Sequence, residues 1–274
     1  MNEPKYYAAD EKDEPELERI RALQEVCDPA TIRRLGKIGV SKGWKCLEIG
    51  AGAGSVAQWL AECVGPKGKV VATDINPRYL LQLSKPNIEV RQHDITKDEL
   101  ENGYYDLVHC RLLLQHLPEP EKVLARMVTA VRPGGWLFIE EWDLGLGLLV
   151  DLISPPGTTT MKAQYDFMKN KGIMDPFFGR KVRRLIEQLN FKEVGHEGDT
   201  AVIRGGEIAA RVQALSNQVM SKHLIAGCLG QEANRSEVDS ARDKQVDNPH
   251  PKRKSKTRWL FTINLPNSLF FRLL

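Results

Sequence analysis

After Gly43 short apolar runs alternate with stretches in which apolar residues recur every three or four positions, the pattern of a parallel sheet whose strands are joined by crossover helices. The runs predict strands at 45–50, 69–75, 88–92, 105–109 and 136–140. Between them, Val56, Trp59, Leu60, Cys63 and Val64 share one helical face that Gly65-Pro66 stops, a short helix is predicted over 78–83, and Val123, Leu124, Met127, Val128 and Val131 form the stripe of a helix over 119–131. The fold class that follows is α/β, a doubly wound Rossmann-like and mostly parallel sheet.

Two helices are predicted ahead of the first strand. Leu17, Ile20, Leu23, Val26 and Cys27 make the stripe of one; Asp28 is placed to cap the next, with Pro29 at its first position and Gly36 at its end. Beyond the fifth strand, Gly, Pro and Thr clusters mark an insertion at 144–177 with a short helix over 161–168. A helix at 180–189 follows, buried through Val182, Leu185, Ile186 and Leu189, and segments 191–194 and 200–204 supply a sixth strand. The chain therefore divides into a mobile acidic arm (1–15), N-terminal helices acting as a lid (16–42), the α/β domain with its insertion (43–230), and a divergent basic C-terminal region (231–274).

Composition narrows the class of function. The 274 residues are 42% hydrophobic and 27% charged, which suits a globular fold with one sizeable core, and a net charge of +3 is too small to be a nucleic-acid footprint by itself. No apolar stretch approaches the ~20 residues of a membrane-spanning helix. The first residues lack the features of a secretory signal, so a cytoplasmic setting is expected. Five scattered cysteines without a C-x-x-C pair argue against a metal site or a disulfide framework.

Chemistry concentrates at Glu48-Ile49-Gly50-Ala51-Gly52-Ala53-Gly54-Ser55, where a strand runs into a glycine-rich turn and then a helix N-terminus. Glycines let the backbone approach a ligand, and first-turn amides can receive an anionic group. Gly52 to Ala57 also satisfies the G-x-G-x-x-A form of a dinucleotide fingerprint, and Asp74 at the next strand end suits ribose hydroxyls in either case. An NAD-dependent oxidoreductase is therefore the alternative. Asp94, at the end of the third strand, has no place in it. Glu48, a carboxylate inside an apolar strand, is expensive to bury without a partner, which favours a functional role.

Taken in order, Glu48 with Gly50, Gly52 and Gly54, then Asp74, Asp94 and Arg132-Pro133-Gly134-Gly135 resemble the class I S-adenosylmethionine-dependent methyltransferases of small-molecule type. Tyr105-Asp106-Leu107-Val108 and the following 112–117 segment are similar to that family's fourth strand and its sequel, and the resemblance covers about 43–205. It implies S-adenosyl-L-methionine as cofactor, with Gly50, Ala51, Gly52 and Gly54 at its methionine end. It also implies Asp74 and Ile75 at the ribose and beyond, Asp94 with Ile95 at the adenine, and Cys110 with Arg111 at the inner face. The implied reaction moves a methyl group to O, N or C of a small organic acceptor. Acceptor-side candidates are His116 and, flanking Trp142, Glu140, Glu141 and Asp143; a His or carboxylate there could deprotonate a hydroxyl or carbon acid. A non-catalytic S-adenosylmethionine-binding protein is a further alternative.

No motif of nucleic-acid methylation occurs, so a small molecule is expected over nucleic acid, and the basic run Lys252 to Arg258 reads as a solvated tail. The family normally closes its sheet with an antiparallel hairpin, whereas here only 258–263 is a plausible seventh strand. Either an unusual loop reaches it, or the sheet edge is incomplete.

Overall fold

The computed structural model describes residues 14–146, 155–187, 189, 191, 193–204, 206–229, 260–264 and 267–272. Five parallel strands, β1 (Lys45–Ile49), β2 (Lys69–Asp74), β3 (Ile88–Gln92), β4 (Tyr105–Arg111) and β5 (Val131–Glu141), form most of a seven-stranded sheet. It is completed by β6 (Glu193–Glu197) and by β9 (Asn267–Arg272), in the order β3-β2-β1-β4-β5-β9-β6. Strand β9 runs antiparallel to both its neighbours. A separate two-stranded ribbon pairs β7 (Thr200–Arg204) with β8 (Leu260–Asn264).

Alternation along each strand divides the core into two layers. Leu47, Ile49, Val108, Cys110, Leu137 and Ile139 face a layer built with α3 (Pro120–Ala130) and α5 (Gly179–Glu187). The intervening positions Cys46, Val70, Ala72, Leu107 and Phe138 face the opposite layer, closed by α2 (Ser55–Val64) and α1 (Glu14–Ile38). Helix α2 buries Val56, Ala57, Leu60, Ala61 and Val64, and the Asn87 amide caps its carbonyl end by donating to Ala61 and Gly65. Each fully buried aliphatic side chain contributes about 1.5–3 kcal/mol, so these stripes supply the main driving force for docking the helices. Helices α4 (Pro155–Asn170) and α6 (Ile208–Leu229) complete the described α-helices. Among the described residues no helix is long and apolar enough to cross a membrane.

Several expectations are corrected. The two predicted N-terminal helices are one helix, Glu14–Ile38, with Pro29 inside it. Pro29 removes one helical hydrogen bond, but Cys27, Ala30, Thr31, Arg34 and Leu35 on the same stretch are buried, and that docking carries the helix through. In place of a helix over 78–83 stands a single 3-10 turn at Pro77–Tyr79. The proposed sixth strand is two strands in two different sheets, separated by Gly198 and Asp199. The C-terminal apolar segment holds two short strands, with Pro266 between them in sequence; β8 pairs with β7, and β9 enters the main sheet. The 161–168 helix is the latter part of the longer α4. The basic run 252–258 lies outside the described residues, as do residues 1–13 of the arm expected over 1–15, whose last two residues, Glu14 and Pro15, instead open α1.

Candidate functional site

The carboxyl edge of the sheet is built around the glycine turn. Gly50, Gly52 and Gly54 adopt φ of 69°, 59° and 83°, the left-handed region that a side chain resists. The turn is also closely wrapped: a Cβ at Gly54 would lie 2.7 Å from Leu83 and 3.1 Å from Leu80, and one at Gly50 would lie 3.3 Å from Leu113. Helix α1 covers the turn, with Ile20 at 3.4 Å from the position a Cβ on Gly52 would take.

Asp74 at the tip of β2 clasps this turn. One carboxylate oxygen accepts from the Gly52 amide and the other from the Asn76 amide, each at 3.0 Å, and burial raises its pKa despite those amides. Ile75 beside it is an apolar side chain left 50% exposed. Asp94 lies just beyond the adjacent strand, whose last residue Gln92 pairs with Asp74. Its Oδ1 accepts from the Thr96 amide and hydroxyl at 3.0 and 2.6 Å, and Lys97 is at 3.3 Å. Partial burial opposes ionisation there, but the Thr96 contacts and Lys97 prevail and hold the carboxyl below its usual value. Ile95 is buried. The structure thus brings Asp74, Asp94 and the glycine turn to one edge.

Glu48 and Cys110 point elsewhere. Cys110 belongs to the core layer under α3 and α5, and burial pushes its thiol up. Glu48 is 3% exposed and lies in register with His109 on β4, whose Nδ1 is 2.6 Å from its Oε2. His109 Nε2 is 3.3 Å from Glu140 Oε2, and the ring stacks on Phe138 at 4.8 Å between centroids. Burial alone would lower the imidazole pKa, but the two carboxylates outweigh it and raise it to about 9. The Thr31 hydroxyl donates to Glu140 at 2.6 Å and Arg34 donates to the same carboxylate at 3.2 Å, tying α1 to the sheet. Arg34 reaches on to Asp199 at 2.7 Å.

Arg111, at the end of β4, donates to Thr31 at 2.8 Å and to Asp28 at 2.9 Å; Asp28 also accepts from the Ser55 hydroxyl at 3.0 Å. Asp28 is therefore a bridge between α1, β4 and the start of α2, and not a helix cap. Opposite charges beside the glycine turn, a carboxylate on its amide and an exposed apolar side chain next to that carboxylate suit, in turn, a zwitterionic amino-acid end, a ribose and a flat base.

The acceptor-side candidates are all engaged. His116 Nδ1 is 3.1 Å from the Ile173 carbonyl, and burial lowers its pKa to about 4. Asp143 is held by Arg180 through two contacts at 2.6 and 2.8 Å. Glu141 is fully buried and accepts the Leu113 and Leu114 amides at 3.0 and 2.7 Å. Sequence reasoning did not foresee His109, Thr31, Arg34 or the bridging role of Asp28, and Glu140, expected beside the acceptor, is instead held inside the α1 face by His109, Thr31 and Arg34. The available signal was polar residues at inward positions of apolar strands, which demand partners.

A family model described as a methyltransferase domain matches residues 18–196. Methyltransferase str2 of Strobilurus tenacellus is 34% identical over 132 residues, covering 48% of this chain and 47% of that protein. Methyltransferase str3 of the same organism is 31% identical over 173 residues, covering 63% and 61%. The chain thus spans about half to three fifths of the length of these curated relatives. Among solved structures, phosphoethanolamine N-methyltransferase 2 of Haemonchus contortus, in complex with phosphomonomethylethanolamine and S-adenosylhomocysteine, superposes with a TM-score of 0.55 at 14% identity, covering 99% of this chain and 60% of that one. That likeness is one of fold.

Proposed function

Because the chain belongs to the class I S-adenosylmethionine-dependent methyltransferase family, whose cofactor is S-adenosyl-L-methionine, we propose that it moves a methyl group to O, N or C of a small organic acceptor. The observation that carries the reading is the glycine turn clasped by Asp74, with Asp94 at the tip of the neighbouring strand. In this reading the glycine turn and Arg111 hold the methionine end, with Asp28 beside them. Asp74 takes the ribose hydroxyls, and Ile75, Asp94 and Ile95 frame the adenine.

When bound, the cofactor supplies an electrophilic sulfonium methyl. The chain's own contribution is then to orient the acceptor in line and keep water out. Helix α1 and the described parts of the insertion, 144–146 and 155–177, form the cover, and the acceptor enters at the carboxyl edge of β4 and β5. His116, with its low pKa, stays neutral at pH 7 and serves as a hydrogen-bonding wall; Asp143 orders the adjoining loop through Arg180. The reading includes a cytoplasmic setting. Calorimetric titration with S-adenosylhomocysteine and, separately, NAD tests it: tighter binding of NAD overturns it, and methyl transfer across an acceptor panel of alcohols, amines and carbon acids identifies the atom modified.

A further inference from the structure

The chain leaves β4 abruptly. Leu112 has φ 56°, the one positive value outside glycine among the described residues, a left-handed conformation that an L-residue resists. Something must hold it. The Leu112 amide donates to the Glu140 carbonyl at 2.8 Å, and the next two amides, of Leu113 and Leu114, both donate to Glu141 Oε1. Leu114–His116 then forms a 3-10 turn. Leu113, held in this way, is the side chain that a Cβ on Gly50 would meet at 3.3 Å. Arg111 and His116 flank the same turn on its two sides.

Glu141 itself is 0% exposed, and its second oxygen, Oε2, is buried without a hydrogen-bond partner. Burial pushes the carboxyl up to about 8, although the amides of residues 113–115 pull it down. A group kept in so costly a place is explained by what its other oxygen organises.

We propose that Glu141 is a positioning residue, not the acceptor's base: by accepting two successive backbone amides it fixes the left-handed turn at Leu112 and sets Leu113 against the glycine turn. Its effect on the cofactor rests on the methyltransferase reading; its effect on the turn does not.

The test compares Glu141→Gln and Glu141→Ala with wild type by amide hydrogen exchange at Leu113 and Leu114, by S-adenosylhomocysteine affinity, and by the pH dependence of the two amide proton shifts. In Glu141→Ala both amides exchange at least about tenfold faster and affinity falls about tenfold, the scale of hydrogen bonds to a carboxylate. In Glu141→Gln both properties stay within about threefold, because the side-chain carbonyl replaces Oε1. The two amide shifts titrate together with the carboxyl in wild type and stay flat in Glu141→Gln. Unchanged protection in Glu141→Ala, a Glu141→Gln variant as impaired as Glu141→Ala, or amide shifts that do not titrate in wild type overturns the proposal. If Glu141→Ala does not fold, the Glu141→Gln exchange and the wild-type titration decide. A wild type that binds no S-adenosylhomocysteine overturns the methyltransferase reading instead, and the exchange data still decide this one.

Discussion

Two pairs of carboxylates in this molecule solve opposite problems. Asp74 and Asp94, at the rim, are satisfied by groups within a few residues or in the adjacent turn: Gly52, Asn76 and Thr96. Glu48 and Glu140, inside the sheet's α1 face, are satisfied by side chains distant in sequence: Glu48 by His109, and Glu140 by His109, Thr31 and Arg34. A carboxylate held locally can be lost with its fold intact, so it is available to a ligand. One held by remote side chains ties the tertiary structure together, and removing it strands charges in the interior.

The largest effect separating the pairs is expected on stability. Glu140→Ala removes one of the two carboxylates on buried His109 and one of the three on buried Arg34, and should lower the unfolding free energy by about 3–5 kcal/mol in denaturant titration. A loss below about 1 kcal/mol would dissolve the distinction. Next in size is a pH dependence. The folded imidazole of His109 titrates near 9 against 6.5 for the ordinary side chain, so its stabilisation is full below about 6.5 and fades as pH rises through 9. Glu141, whose folded carboxyl is raised to about 8 from 4.5, acts in the same direction, because unfolding becomes easier as pH climbs above its ordinary value. Thermal midpoints of wild type and His109→Gln should therefore converge by about pH 9–10; a gap that widens there would contradict the cationic ring.

At the rim, Asp74→Ala and Asp94→Ala should weaken S-adenosylhomocysteine binding about tenfold or more by calorimetry, with thermal midpoints close to wild type. Affinity left intact at both sites would remove the ligand from this edge. Smallest of all, Lys97→Ala cuts the exposed ion pair to Asp94 and should change stability by less than about 0.5 kcal/mol.

The same contrast explains what the sequence made legible. The glycine turn, the strand-end acids and the helix stripes are local patterns, and β1 to β4 with α2 and α3 stand within a few residues of where periodicity puts them, whereas β5 begins five residues early, at Val131, and runs through the Arg132–Gly135 stretch expected as a turn. Glu48 shows the limit: its burial was evident from its apolar neighbours, but its partner His109 lies 61 positions away and is set by strand register. Pro29 misled because helix-start rules weigh the local backbone, while the buried faces of Cys27, Thr31 and Arg34 decide the outcome. The C-terminal strands were obscure for a related reason. No local feature says that β9 pairs with β5 and β6 while β8 pairs with β7. Among the acceptor-side residues, chemistry alone could not tell a base from a brace, and only the amides on Glu141 draw that line.

The seating of β9 between β5 and β6 sets a timetable for biosynthesis. Until Arg272 has cleared the ribosome, the outer edge of Val131–Glu141 has no native neighbour, although the five parallel strands are already made. During that interval a nascent chain carries a bare strand edge able to pair with another copy, so crowding on polysomes is a condition under which this protein should aggregate. Chains stalled near residue 230 should be captured by holdase chaperones, and released chains that include β9 should not; equal capture of both would refute this.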